Sequence, residues 1–182
     1  MRIISGKHKG KRIQAPSNLP VRPTADMQKE ALFNIINNYY NFDQIAILDL
    51  FAGTGNISYE FASRGTPEIT AVDVHFGCVH FIQKTAKELN FDILTIKSDV
   101  FSFLEKSNQK YDLIFADPPY DLDFKLFERI PQLVFDKKLL TDVGMLIIEH
   151  SKHTSLIHLR HFSFQKNYGG SVFSFFEVIS KI

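Results

Sequence analysis

Apolar residues fall along this chain in short unbroken runs that alternate with stretches where they recur every three or four positions, the rhythm of buried strands and amphipathic helices. From residue 45 onward it predicts strands at Ile45 to Phe51, Glu68 to Val74, Ile93 to Lys97, Tyr111 to Ala116 and Gly144 to His150. Helices are predicted between them at Ile57 to Arg64, ended by Gly65, then at Gly77 to Leu89, Val100 to Lys106 and Phe124 to Phe135. Such alternation implies βαβ units and a mostly parallel sheet covered on both faces. Near the end the rhythm breaks. Ser155 to Phe164 and Ser171 to Ile182 read as two strands joined through Asn167-Tyr168-Gly169-Gly170, with no room for a helix, so they should pair antiparallel.

The front of the chain follows another pattern. Arg2 to Ser5 and Lys11 to Gln14 flank a loop bounded by Gly6 and Gly10 and read as a small hairpin; Pro16 to Pro23 is a turn-rich linker. A helix follows, with Thr24 as N-cap, Asp26 in the first turn and Leu32, Ile35, Ile36 and Tyr39 along its apolar stripe. The expected division is a hairpin and linker at 1–24 and an α/β domain at 25–182.

Composition narrows the class. With 182 residues, 45% of them hydrophobic and 23% charged, the chain is the size and polarity of one soluble domain. Cys78 is the single cysteine, which rules out an internal disulfide and a four-cysteine zinc site. His150, His153, His158 and His161 fall in predicted strand or loop, where three-residue spacing does not place two side chains on one face; no metal site is expected. Most of the eighteen phenylalanines, including Phe162, Phe164, Phe173, Phe175 and Phe176, sit at core-facing positions. No apolar run is long enough to span a bilayer and no signal-peptide pattern opens the chain, so we expect a monomeric cytoplasmic protein without a membrane partner.

The net charge of +1 hides an asymmetry. Residues 1 to 25 carry Arg2, Lys7, Lys9, Lys11, Arg12 and Arg22 and no acid, leaving 15 basic against 20 acidic residues in the rest. A basic arm on a mildly acidic body suits a phosphate-binding extension, although a solvated lysine-rich hairpin would look the same.

The chemistry concentrates at predicted strand ends. Asp117-Pro-Pro-Tyr120 follows the fourth strand of the alternating region directly. Prolines fix φ and lack an N–H, so Pro118 and Pro119 stiffen a loop at the edge where open α/β sheets bind ligands. The amine of a base or amide is a poor nucleophile because its lone pair is delocalised. Two acceptors, the Asp117 carboxylate and the Pro118 carbonyl, would hold both N–H bonds and turn that lone pair toward an electrophile, while Tyr120 offers a stacking face. A strand-ending turn is the plainer reading.

Asp49-Leu-Phe-Ala-Gly-Thr-Gly-Asn56 closes the first strand of that region. It has the G-x-G of a nucleotide loop but Ser58 where a third glycine would stand, and Asp49 would repel phosphate. Asp73, 24 residues on, ends the second strand where an acid binds both ribose hydroxyls; Asp99 ends the third, placed to accept from an adenine amine. A nucleoside with an amino-acid part and a reactive cation but no phosphate is S-adenosylmethionine. Its expected seat is Asp49, Phe51, Gly53, Gly55, Asn56, Asp73, Val74, Asp99 and Val100.

The chain resembles the RsmD-type methyltransferases of bacterial ribosomal RNA. Arg2-Ile-Ile-Ser-Gly6, Val21-Arg-Pro-Thr24, Glu30-Ala-Leu-Phe-Asn34, Asp49-Leu-Phe-Ala-Gly-Thr-Gly55, Asp117-Pro-Pro-Tyr120 and Tyr168-Gly169 carry the resemblance, which spans nearly the whole length. It implies a Rossmann-like seven-stranded class I methyltransferase sheet with the last strand antiparallel, plus an N-terminal hairpin. The implied activity is methylation of a guanine N2 amine in 16S rRNA, within a small ribosomal subunit or its assembly intermediate. The basic hairpin would help hold the RNA, and Tyr168 would touch the target base. The family usually has an arginine near Met27 and an acid near His75. Alternatives are an adenine N6 or cytosine N4 of DNA, a glutamine amide in protein, or a non-catalytic RNA-binding module.

Overall fold

The computed structural model describes residues 1–20 and 25–178. Arg22, Thr24 and the last four residues, where part of the linker and the end of the last predicted strand fall, lie outside them.

Seven strands form one sheet: β1 (Ala46–Leu50), β2 (Glu68–Asp73), β3 (Leu94–Lys97), β4 (Tyr111–Ala116), β5 (Leu140–Ser151), β6 (Phe162–Tyr168) and β7 (Ser171–Glu177). Their order is β3-β2-β1-β4-β5-β7-β6. The first five are parallel, and β7 lies antiparallel between β5 and β6. This is the implied α/β sheet with its antiparallel last strand. The chain leaves β1 toward β2 on one side and returns to β4 on the other, so the topological switch point lies between β1 and β4, where open sheets form a ligand crevice.

Alternation along the strands splits the core into two layers. Ile47, Leu113, Phe115, Met145, Ile147, Phe173 and Phe175 face α1 (Asp26–Ile36) and α2 (Asn56–Ser63). Leu48, Leu50, Ile114, Leu146, Ile148 and Phe176 face α4 (Val100–Lys106) and α5 (Phe124–Asp136). A third cluster joins Ile3 and Ile13 of the hairpin to Tyr59 on α2 and to Ile82 and Leu89 on α3 (Phe76–Leu89). The hairpin is narrow, with one bridge, Arg2 to Arg12, and the Ile3 amide donating to the Lys11 carbonyl at 2.9 Å.

Three sequence expectations shift. The expected strand from Ser155 to Phe164 is instead a chain of turns up to His161, whose φ is 68°, and β6 runs from Phe162 to Tyr168. Leu156 supplies an apolar residue to the core without extending the sheet. The strand's polar end, Gln165 to Asn167, is exposed because β6 is a sheet edge, where polar side chains discourage further pairing. Strand β5 begins at Leu140, ahead of the expected Gly144, because Leu140 pairs with Tyr111 before the register shifts. Finally, the N-cap position of α1 is held by Ala25 without a side-chain bond, and the helix stops before Tyr39, which is half exposed and stacks on Phe164.

Candidate active site

The loop after β1 is strained where it turns. Phe51 has φ of 58°, sparsely populated for a residue with a side chain, followed by Gly53 at 55° and Gly55 at 86°. A Cβ on Gly55 would come within 2.8 Å of the Tyr59 ring and 2.9 Å of Ile82. Only glycine lets the loop sit this low over α2 and α3.

Asp49 lies beneath the loop, buried, with one carboxylate oxygen accepting from the Ser58 amide at 3.2 Å and the Ser58 hydroxyl at 2.6 Å. The residue that breaks the dinucleotide glycine pattern is thus the acid's partner. Burial nevertheless lifts the Asp49 carboxyl from 3.8 to about 7, against the Ser58 bonds and with a smaller push from Asp73.

Asp73 ties the two neighbouring loops together. One oxygen accepts from the Gly53 amide and the other from the His75 amide, both at 2.8 Å. Each carboxylate oxygen retains a second lone pair for a hydroxyl donor. Asp99 is exposed and uses one oxygen to cap α4 through the Ser102 amide at 2.9 Å, leaving the other for an amine. Val74 is exposed, whereas the Val100 side chain is in the core, so Val100 can meet a ligand only through its backbone. Asn56 opens α2, and its side-chain oxygen accepts from Lys29 Nζ at 2.8 Å.

Across the switch point, the Asp117 amide donates to the Leu50 carbonyl at 3.3 Å, stitching the Asp-Pro-Pro-Tyr turn to the end of β1. The Asp117 carboxyl is pushed well above the ordinary carboxylate range, first by burial, then by the neighbouring charges of Glu149 and Asp49. Pro118 is buried and Pro119 exposed. Tyr120 is half exposed, with its hydroxyl 3.2 Å from the Ser171 hydroxyl at the start of β7.

The hairpin's cations lie on the surface. Lys7, Lys9, Lys11 and Arg12 are exposed and, among the described residues, engage in no ion pair; Arg2 meets Asp26 at 3.2 Å. Tyr168 is half buried, its ring 6.0 Å from Phe173 and its carbonyl accepting from the Gln28 amide group at 2.8 Å. Arg22 is outside the described residues. Met27 is 75% exposed, and His75 stands at the N-cap of α3. The four histidines scatter: His150 bonds to Ser174, His161 stacks on Phe135, His158 lies near Glu128, and His153 is exposed. Cys78 is buried, and burial pushes its thiol to about 11.

Sequence reading missed a buried ionic hub under the hairpin. Glu60 accepts from the Ile4 and Ser5 amides at 2.8 and 3.0 Å and pairs with Lys29 and Arg64. Lys29 shares the apolar face of α1 with Leu32, Phe33 and Ile36, and a lysine on such a stripe was the available signal. Glu149, at the end of an apolar run in β5, was missed as well.

No helix among the described residues is long and apolar enough to cross a membrane. A family model described as Conserved hypothetical protein 95 matches residues 1–177. The ribosomal RNA small subunit methyltransferase D of Buchnera aphidicola subsp. Baizongia pistaciae is 33% identical over 150 residues, 82% of this chain and 75% of that one. A hypothetical protein of Thermus thermophilus of known structure superposes with a TM-score of 0.83 at 22% identity, over 98% of this chain and 99% of that one. A 16S rRNA N2 methyltransferase (RsmC) of the same organism, solved with AdoMet and guanosine, gives 0.69 at 17% identity, over 87% of this chain and 45% of that one. The match runs unbroken from the hairpin through the glycine loop and the Asp-Pro-Pro-Tyr turn to β7, and the chain belongs to the Conserved hypothetical protein 95 family, the RsmD-type methyltransferases.

Proposed function

We propose that the protein methylates the exocyclic N2 amine of a guanine in 16S rRNA, with S-adenosylmethionine as methyl donor. The observation that carries this reading is the stitched pair of loops at the switch point: an acid-based glycine loop after β1 and an Asp-Pro-Pro-Tyr turn after β4, joined by the Asp117 amide and the Leu50 carbonyl. The residues present fit the donor. Asp73 and Asp99 keep free lone pairs for hydroxyl and amine groups, and the glycine loop beside Asp73 turns through left-handed backbone at Phe51, Gly53 and Gly55. S-adenosylmethionine supplies an electrophilic methyl group on a positively charged sulfur, which suits a loop with an acid at its base.

The chain's own residues do the rest by placement. Asp117 and the Pro118 carbonyl accept the two N–H bonds of the amine, aim its lone pair and stabilise the positive charge that grows on nitrogen. Tyr120, anchored through Ser171, stacks on the base. The exposed cations of the 1–24 extension hold phosphates of the same RNA. The 25–182 body binds the donor, and the protein works as a cytoplasmic monomer on a small subunit or its assembly intermediate.

Transfer of labelled methyl groups to small subunits lacking this modification, with the modified base mapped by mass spectrometry, tests the reading. One N2-methylguanine is expected. Label on DNA or protein alone would move the substrate, and failure to bind S-adenosylmethionine would point to a non-catalytic RNA-binding module.

A further inference from the structure

Helix α3 opens at the C-terminal edge of β2, just after Asp73. Its first residue, Phe76, is 65% exposed, as is Val74 shortly before it. His80, one turn further on and also exposed, sets its imidazole nearly parallel to the Phe76 ring, with 5.9 Å between centroids. Lys84 follows at the same interval. Phe76, His80 and Lys84 therefore form one exposed stripe along α3, while Cys78, Ile82 and Leu89 of the same helix are buried.

A single exposed phenylalanine needs no explanation. This one stands at the end of a track. A depression of about 290 Å³ lies between the hairpin and α3, with Lys11 and Arg12 on one wall and Phe81, Lys84 and Glu88 on the other. A second, of about 440 Å³, runs from Arg12 past Pro16 and Ser17 to Leu19. The two adjoin, because both are lined by Arg12, Ile13 and Gln14. Leu19 then packs on the first turn of α3, so closely that a Cβ on Gly77 would fall 2.9 Å from its Cδ2. Hairpin, linker and α3 thus make one surface that begins among cations and ends at the Phe76 ring. Glu88 is the one acid among the described residues lining either depression, against Lys11, Arg12 and Lys84.

We propose that this track binds a single-stranded segment of the RNA substrate: Lys11, Arg12 and Lys84 hold its phosphates, and a base flanking the target stacks on Phe76 and His80. Cations that follow a backbone beside aromatic rings that take its bases are the means by which proteins hold single strands. A duplex keeps its bases stacked on one another and has none to offer the ring. An acidic protein segment would use the cations and leave Phe76 idle. The inference rests on the RNA-methylating reading and deepens it, naming the form of the RNA and its path to the donor's edge of the sheet.

The test is binding of a fluorescein-labelled, mixed-sequence single-stranded RNA, read by anisotropy at several salt concentrations without the donor, with the matching duplex as comparison. Phe76→Ala should weaken single-strand binding about tenfold, the ordinary loss of one stacked base, and Phe76→Tyr should stay near wild type. Lys84→Ala should weaken binding and lower the salt slope by about 0.7, the share of one phosphate contact on a single strand. Lys87→Ala removes a lysine that is exposed on the same helix but does not line the depression, and should leave the slope alone. Unchanged single-strand affinity in Phe76→Ala or Lys84→Ala, equal slopes for the two lysine variants, or a duplex bound as tightly as the single strand overturns the proposal. Weaker S-adenosylmethionine binding in Phe76→Ala with RNA affinity intact would give the ring to the donor's adenine, and overturns it too. If small subunits are never methylated while the single strand shows the expected losses, the substrate reading fails and the track stands. If N2-methylguanine forms and the variants bind RNA as wild type does, the track alone fails.

Discussion

Lys29 and Glu60 meet 3.3 Å apart with neither side chain reaching solvent. The ammonium also donates to the Arg2 carbonyl at 2.7 Å and to Asn56 at 2.8 Å. Burial lowers the Lys29 pKa, and Glu60 is the main group opposing that. Glu60→Ala leaves Lys29 without its counterion and the Ile4 and Ser5 amides without an acceptor. We expect a loss of about 3–5 kcal/mol in urea unfolding, the usual cost of stranding a buried charge. A loss of only a few tenths would show that water replaces the carboxylate.

Gly6 and Gly10 have nearly the same backbone, φ 83° and 84°, in different surroundings. A Cβ on Gly6 would fall 1.8 Å from the Ser63 carbonyl oxygen, whereas one on Gly10 meets nothing within 4 Å. Gly10→Ala should cost about 1–2 kcal/mol from the left-handed backbone alone. Gly6→Ala should lift the hairpin off α2, seen as rapid proteolysis within residues 1–14 and weaker RNA binding. Equal proteolysis of the two variants would argue against close docking.

Four exposed cations on the hairpin predict a salt effect. Changing Lys7, Lys9, Lys11 and Arg12 to alanine should weaken RNA binding and flatten its dependence on salt, because fewer counterions are released. Affinity for S-adenosylmethionine should not change. An unaltered salt slope would place the RNA elsewhere.

Asp49 gives the fold a pH dependence of unusual sign. The unfolded carboxyl loses its proton near 3.8 and the folded one near 7, so between those values the folded state binds more protons. The contribution is fully present below about pH 4 and is lost as pH rises toward 7. Asp49→Asn should flatten that decline in denaturant midpoints measured from pH 4 to 7. A nearby sulfonium favours the ionised form, so binding the donor at pH 6 should release a proton, measurable by calorimetry in buffers of different ionisation heat. No proton release would separate Asp49 from the sulfonium.

Tyr120 separates anchoring from stacking. Tyr120→Phe loses only the contact with Ser171 and should change the RNA KM slightly. Tyr120→Ala loses the ring face and should cost about 1–3 kcal/mol in kcat/KM. Equal effects would mean that the hydroxyl, not the face, matters.

The bounds of α4 and β4 were legible to the residue because each is a single period closed by a breaker: Asp99 before Val100, and Pro118 just after the strand. Strand β6 was misplaced because hydrophobicity alone does not distinguish Leu156, which plugs the core from a turn, from Phe162, which sits in a ladder. The strand-end acids were legible as a set, and their tasks were not. Asp73 and Asp99 spend oxygens on backbone amides, and Asp49 depends on Ser58, contacts fixed only once loops and helix starts meet. Lys29, Glu60 and Glu149 owe their importance to burial across elements far apart in sequence, which local periodicity cannot report.

The hairpin's seat limits how this protein can be recombined with its relatives. Its strands are short and share one bridge, so what fixes them is the far side of the contact: the Glu60 carboxylate, the Ser63 hydroxyl bound to the Ser5 carbonyl at 2.6 Å, and the Ser63 carbonyl bound to the Lys7 amide at 2.7 Å. A chimera exchanging residues 1–14 alone would import a loop without its receptor. Transplanting the arm requires α2 to travel with it, and α2 begins at the glycine loop. Any swap meant to change which RNA is held therefore also carries part of the donor's seat.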